Sequence, residues 1–179
     1  MNSCVINWSN GRLCSSVFVN RGATMKKLII LAAMLGFQQF ANAGLPVTSA
    51  PDQNALLQSA DPQLAANKKL VYDFTRIILG GRRLEQAGTF LSTEYIQHNP
   101  NVETGLQGFI DFFSKLGGPR PISDTVRDLV TIHAEGNIVT MAFVNEMRDA
   151  TGNQYSTTWF DMFRVENGKI VEHWDCDTK

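Results

Sequence analysis

Past Pro121 the apolar residues of this chain abandon a helical period for an alternating one, and no other feature restricts its fold so tightly. Residues 126–135, 138–147, 154–165 and 170–175 each read as a strand. Their connections are short and turn-rich: Glu135-Gly136-Asn137, Ala150-Thr151-Gly152-Asn153 and Glu166-Asn167-Gly168. Links this short join antiparallel neighbours. Upstream, Leu70, Val71, Phe74, Ile77 and Ile78 share one helical face that ends at Gly80-Gly81, and a shorter helix spans 83–91. Gly105 opens a third helix, whose stripe of Leu106, Phe109, Ile110, Phe113 and Leu116 stops at Gly117-Gly118-Pro119. Helices first and a meandering sheet second is an α+β pattern with the helices gathered on one sheet face. The expected form is a cone-shaped roll, a curved antiparallel sheet wrapped around N-terminal helices, whose open end holds a small ligand.

The N-terminal segment limits how much of the chain belongs to that roll. From Met25 the sequence reads as an export signal: Lys26 and Lys27, an apolar stretch over 28–37, then Ala41-Asn42-Ala43 as a small-x-small cleavage site. The apolar stretch is about half the ~20 residues a spanning helix needs, so no stable membrane anchor is expected. Residues 1–24 are polar and match no part of a signal, which makes Met25 the expected start and 1–24 a mis-assigned upstream extension. Cleavage after Ala43 sends the product to the periplasm or the medium. Residues 44–63, with Pro46, Pro51 and Pro62, read as a flexible lead-in without core, and 64–179 as the domain.

Composition then narrows the partners. The first 43 residues hold four of the 16 basic residues and none of the 17 acidic ones, so the remainder carries a net charge of −5. An acidic domain argues against nucleic acid. Of three cysteines only Cys176 follows the cleavage site, which excludes an internal disulfide in the exported product.

Chemistry is sought among polar residues on apolar faces. On the third predicted strand Trp159, Asp161, Phe163 and Val165 share a face, where a carboxylate is costly to ionise unless a partner compensates. On the last strand His173 and Asp175 share one face and Trp174 lies on the other; the sequence leaves open which face looks inward. Tyr95-Ile96-Gln97-His98-Asn99-Pro100 reads as a polar loop ahead of the third helix, with His98 able to move a proton and Asn99 able to hold an enolate oxygen. His133 lies on a polar face and reads as a surface residue. His98, His173 and Asp175 lack diagnostic metal spacing, and no metal is expected. No phosphate-cradling glycine loop, Ser-His-Asp signature or dinucleotide fingerprint is present.

Over 68–175 the chain resembles the SnoaL-like polyketide cyclases, a branch of the cone-fold group that includes nuclear transport factor two and ketosteroid isomerase. The resemblance rests on Tyr95-Ile96-Gln97-His98-Asn99-Pro100, on Ala134-Glu135-Gly136-Asn137, and on the run from Asp161-Met162-Phe163-Arg164 through Glu172-His173-Trp174-Asp175. It implies an inward Asp161 acting as base in a cofactor-free intramolecular aldol closure, an enolate met by His98 and Asn99, and pairing into a homodimer. Where many relatives carry histidine, this chain has Met141-Ala142-Phe143-Val144, a more apolar strand.

Two functions follow as expectations. The first is cofactor-independent acid/base catalysis, a cyclisation, lyase or isomerase step on a hydrophobic carbonyl compound. Its catalytic residues are Asp161, His98 and His173, and its binding residues are Tyr95, Asn99, Trp159, Phe163, Trp174 and Asp175. The alternative is a binder that holds a hydrophobic small ligand unchanged.

Overall fold

In a computed structural model, residues 45–178 are described. The export segment 25–43, the stretch before it and the cleavage site lie outside the described residues. Two short helices open the described part: α1 (Gln53–Leu57), capped by Asp52, and α2 (Pro62–Asp73), capped by Asp61, whose side chain accepts from the Gln63 and Leu64 amides. Pro62 at the first turn suits a helix start, because its missing N–H would be unpaired there anyway. The helix then widens into a π-type segment, Phe74–Gly80. There Thr75 Oγ1 donates to the Val71 carbonyl at 2.9 Å, drawing on a carbonyl that the backbone ladder would use, and the Gly81 amide bonds five residues back to Arg76.

The expected helix over 83–91 is broken into one 3₁₀ turn, Leu84–Gln86, and one α turn, α3 (Ala87–Phe90). Strand β1 (Leu91–Gln97) follows, and then α4 (Leu106–Ser114), with Gly105 at its cap in a left-handed conformation, φ 91°. The other strands are β2 (Leu129–Glu135), β3 (Ile138–Arg148), β4 (Gln154–Glu166) and β5 (Lys169–Asp175). Asn167 and Gly168 both take positive φ, 50° and 70°, which fits the tight β4–β5 hairpin.

The sheet order is β1-β5-β4-β3-β2. All neighbours are antiparallel except β1, which pairs parallel with β5. The fold is the α+β roll the pattern implies, with one strand more than expected. That strand lies where the sequence reads as a helix end and a loop, because its partner comes nearly 80 residues later and no local turn announces it.

Helices cover one face of the sheet. Val71 of α2 and Phe74 and Ile78 of the π-type segment meet Leu91, Leu129, Ile132, Val139, Met141, Phe163 and Ile170 from the strands, all buried. Phe74 is the hub: its ring lies 5.7 Å from Phe109, 6.0 Å from Phe163 and 6.2 Å from Phe90. Burying such a ring contributes about 2 to 3 kcal/mol.

The lead-in is tied to this core. Gln53 is buried and holds three partners, the Val126 carbonyl at 2.7 Å, the Val126 amide at 2.9 Å and Tyr72 Oη at 2.8 Å. The Ala50 amide bonds the Leu129 carbonyl, and the Val47 amide bonds Ser156 Oγ. A proline-rich composition concealed polar anchoring that has no periodicity to read. No helix among the described residues is long and apolar enough to cross a membrane.

Candidate functional site

Alternation on β4 and β5 decides which side chains face the helices. Asp161 stands directly opposite Asp175 and Phe163 opposite His173, so one inward face carries two carboxylates, an imidazole and an aromatic ring. β1 adds Tyr95 and Gln97 from the far side of β5, with Gln97 opposite His173. These groups line a cavity of about 170 Å³ roofed by Phe109, Phe112 and Phe113 of α4 and closed at the side by Trp159.

The hydrogen bonds fix the protons. The Asn99 amide donates to Gln97 Oε1 at 3.0 Å, which orients the Gln97 side chain and makes that atom an acceptor. His173 Nδ1, 2.9 Å from the same oxygen, must therefore carry a hydrogen. In the neutral ring Nε2 is then left as a lone pair, and it faces Asp161 Oδ1 at 3.6 Å. Asp161 is partnered: Trp159 Nε1 donates to its Oδ1 at 2.8 Å. Asp175 Oδ2 accepts from Asn99 Nδ2 at 2.7 Å and lies 4.0 Å from His173 Nδ1.

Gln97 Nε2 donates to Tyr95 Oη at 3.1 Å, so the hydroxyl hydrogen of Tyr95 remains free to be donated onward. Tyr95 is 1% exposed. Burial, then the charges of Asp161 and Asp175, hold its phenol well above the usual tyrosine range, and the Gln97 hydrogen bond opposes this only in part. The proton stays on the phenol at any physiological pH, as a hydrogen-bond donor to an oxyanion requires.

The structure thus gathers Asp161, His173, Tyr95, Asn99, Trp159, Phe163 and Asp175 at one cavity and leaves two expected residues outside. His98 stacks on Trp174 with ring centroids 5.1 Å apart and bonds Glu172 Oε1 at 2.7 Å, on the opposite face of the sheet. His98 and Trp174 therefore belong to an outer network with Glu172 and Arg164, and neither reaches the cavity. Asn99 lines the cavity, but its amide donors are taken by Asp175 and Asp177, which makes it a support for Asp175.

Sequence reasoning overlooked Gln97, the residue that sets the His173 tautomer, and the α4 aromatics. The Tyr95/Gln97 alternation would have exposed Gln97 once 91–97 was read as a strand. Asp161, His173 and Asp175 place ligand atoms within 4.8 Å of one another, the set among the described residues best suited to a divalent cation. Asp161 lies nearest Nε2 and Asp175 nearest Nδ1, whose hydrogen is held by Gln97, so the carboxylates do not converge on one ring nitrogen.

Residues 71–173 match the model of the SnoaL-like domain. No curated protein matches the chain. Among solved structures, TsrD from Streptomyces laurentii is 24% identical, with 65% of this chain and 90% of that one covered and a TM-score of 0.42. An LEH-like epoxide hydrolase of M. tuberculosis is 14% identical, covering 64% and 84%, with a TM-score of 0.47. An NTF2-like protein of unknown function from Burkholderia pseudomallei is 16% identical, covering 62% and 89%, with a TM-score of 0.46.

Proposed function

The chain belongs to the SnoaL-like domain family, and from that footing we propose that it catalyses cofactor-independent proton transfer at carbon next to the carbonyl of a small hydrophobic compound. The observation that carries this reading is the pair Asp161 and Asp175, opposite each other across β4 and β5 with His173 beside both, in a cavity whose remaining wall is largely aromatic and whose rim carries Gln97, Asn99 and Asp177. Like charges directly opposed on a sheet destabilise it, and such a breach of local consistency is expected where function requires it.

The roles follow from the protons. Asp161 takes the α-hydrogen of the bound carbonyl compound. The enolate oxygen that develops accepts a hydrogen bond from Tyr95 Oη. His173, whose Nε2 lies 3.6 Å from Asp161, relays that proton to a second carbonyl oxygen in a cyclisation, or back to a different carbon in an isomerisation. Either way the atoms balance within the substrate, and no co-reactant enters.

A test needs no natural substrate. With cyclohexanone or 2-tetralone in D2O, the full chain accelerates loss of the α-proton NMR signal, and Asp161→Asn slows that exchange about 100-fold or more. Exchange no faster than in buffer would leave the proposal without support.

The binding alternative is favoured by one contact: Trp159 Nε1 donates to Asp161 Oδ1, so that oxygen already has a partner within the protein. In that reading the same cavity stores a hydrophobic molecule. Mass spectrometry of an extract of the protein purified from its host separates the two, an unaltered ligand in stoichiometric amount favouring storage. The proposal also includes export, with cleavage after Ala43, and pairing of two copies through the outer sheet face, where Ile96 and Phe160 are exposed.

A further inference from the structure

Beside the cavity, and sharing Leu79 and Trp159 with it as lining residues, runs a second depression of about 570 Å³ between the Phe74–Gly80 segment, the 120–128 connection and β3. Four arginines line it, Arg76, Arg82, Arg120 and Arg127, against one carboxylate, Asp128. In a domain whose net charge after residue 43 is −5, this is a concentration of the minority sign. Arg76 is neutralised by Asp73 at 3.3 Å, and Arg127 by Asp128 at 3.3 Å. Among the described residues, Arg82 and Arg120 have no carboxylate partner.

Arg82 is the unusual member. Its Nε and Nη1 are buried and have no hydrogen-bond partner among the described residues. A buried guanidinium donor without an acceptor is costly, and native folds avoid it. One flat face is covered, with Cζ 5.2 Å from the ring centroid of Phe113, and Nε and Nη1 are enclosed, so Nη2 is the guanidinium edge left for a ligand. Phe113 in turn roofs the cavity of Asp161.

The backbone places Arg82 here at some strain. Its φ is +54°, a conformation that L residues disfavour, while the neighbouring Gly81 has φ −80°. Gly81 itself has no room for a side chain, since a Cβ would lie 2.7 Å from the Ile77 carbonyl oxygen. The chain thus uses its left-handed turn on the residue that carries the charge. The Arg120 amide bonds the Gly81 carbonyl at 2.9 Å, which brings a second unpaired arginine alongside.

We propose that this groove is an anion subsite, in which Arg82 and Arg120 hold the carboxylate or phosphate end of a ligand whose uncharged body lies in the cavity beside Asp161. The inference rests on the acid/base reading for the cavity, and it narrows the substrate class to carbonyl compounds that carry an anionic group at the end remote from the reacting carbon. Guanidinium edges suit either oxyanion.

The experiment uses two reporters in the ¹⁵N-labelled full chain: the Arg82 Nε–H resonance, assigned with Arg82→Lys, and the Trp159 indole, which touches both spaces. Acetate and inorganic phosphate are titrated separately, and the anion that saturates the Arg82 shift at the lower concentration identifies the group. 3-Phenylpropanoate is then compared with the uncharged 3-phenylpropanamide. The proposal expects the acid to move both reporters and to bind at least tenfold tighter than the amide. Arg82→Gln and, independently, Arg120→Gln reduce that preference to within about twofold, while Asp161→Asn retains it. An Arg82 signal indifferent to both anions, or equal affinity for acid and amide, overturns the subsite even if Trp159 reports cavity binding. The converse, an Arg82 response with Trp159 silent to both aryl compounds, upholds the anion site and removes the cavity reading beneath it.

Discussion

Tyr95 and Gln97 show how much a single strand register determines. Two residues apart on β1, they face the same cavity; one fixes the tautomer of His173 and the other presents a hydroxyl hydrogen. Replacing Tyr95 by Phe keeps the ring packing and removes the donor. In the ketone exchange assay it should slow the reaction about 100-fold at saturation with little change in apparent affinity, since the bond forms as charge develops on oxygen. On the outer face, Glu172 accepts from His98 and from Arg164, and those bonds hold its carboxyl below the ordinary glutamate value of 4.5. A depressed folded-state pKa stabilises the protein above the unfolded value and loses that contribution as pH falls through the folded one. The stability advantage of the wild type over Glu172→Gln in urea unfolding should be complete at pH 7 and vanish on acidification below 4.5. Asp161, Trp159 and Phe163 were legible from alternation alone. His98 was not, because a polar residue before a proline looks the same whether it faces inward or outward.

At the level of elements, a helix-to-strand change of period located β2 through β5 to within a few residues. It missed β1, since parallel pairing with a distant strand leaves no turn signal nearby. The segment ahead of α2 was opaque for a different reason: it is anchored by polar bonds rather than by an apolar stripe. Gln53 satisfies both backbone groups of Val126 together with Tyr72 Oη. Substituting Leu would strand those buried partners and cost about 2 to 3 kcal/mol, read as a lower urea midpoint with an unchanged slope. Gly105, at φ 91°, opens α4 and so sets the height of the aromatic roof. Gly105→Ala should cost about 1 to 2 kcal/mol in the same measurement.

For the molecule as a whole, the two sides of the sheet differ in what they present. The concave side holds Asp161, His173 and Asp175 under α4, and the outer side exposes Phe160 next to the His98, Trp174 and Glu172 network. If two copies pair through that outer side, Phe160→Glu yields a folded monomer by light scattering coupled to size exclusion. A wild type that is already monomeric contradicts the pairing. Export would place this chemistry outside the cytoplasm, and the intact mass of the protein from its host, beginning at Gly44, is the expected sign of it. The central claim is that chemistry belongs to the inward cluster and not to the outer histidine. Its most direct test is the α-proton exchange rate of Asp161→Asn and His98→Gln measured side by side on folded protein. The account predicts a loss of about 100-fold or more for the first and a change within twofold for the second. Equal losses, or a loss confined to His98→Gln, would contradict it.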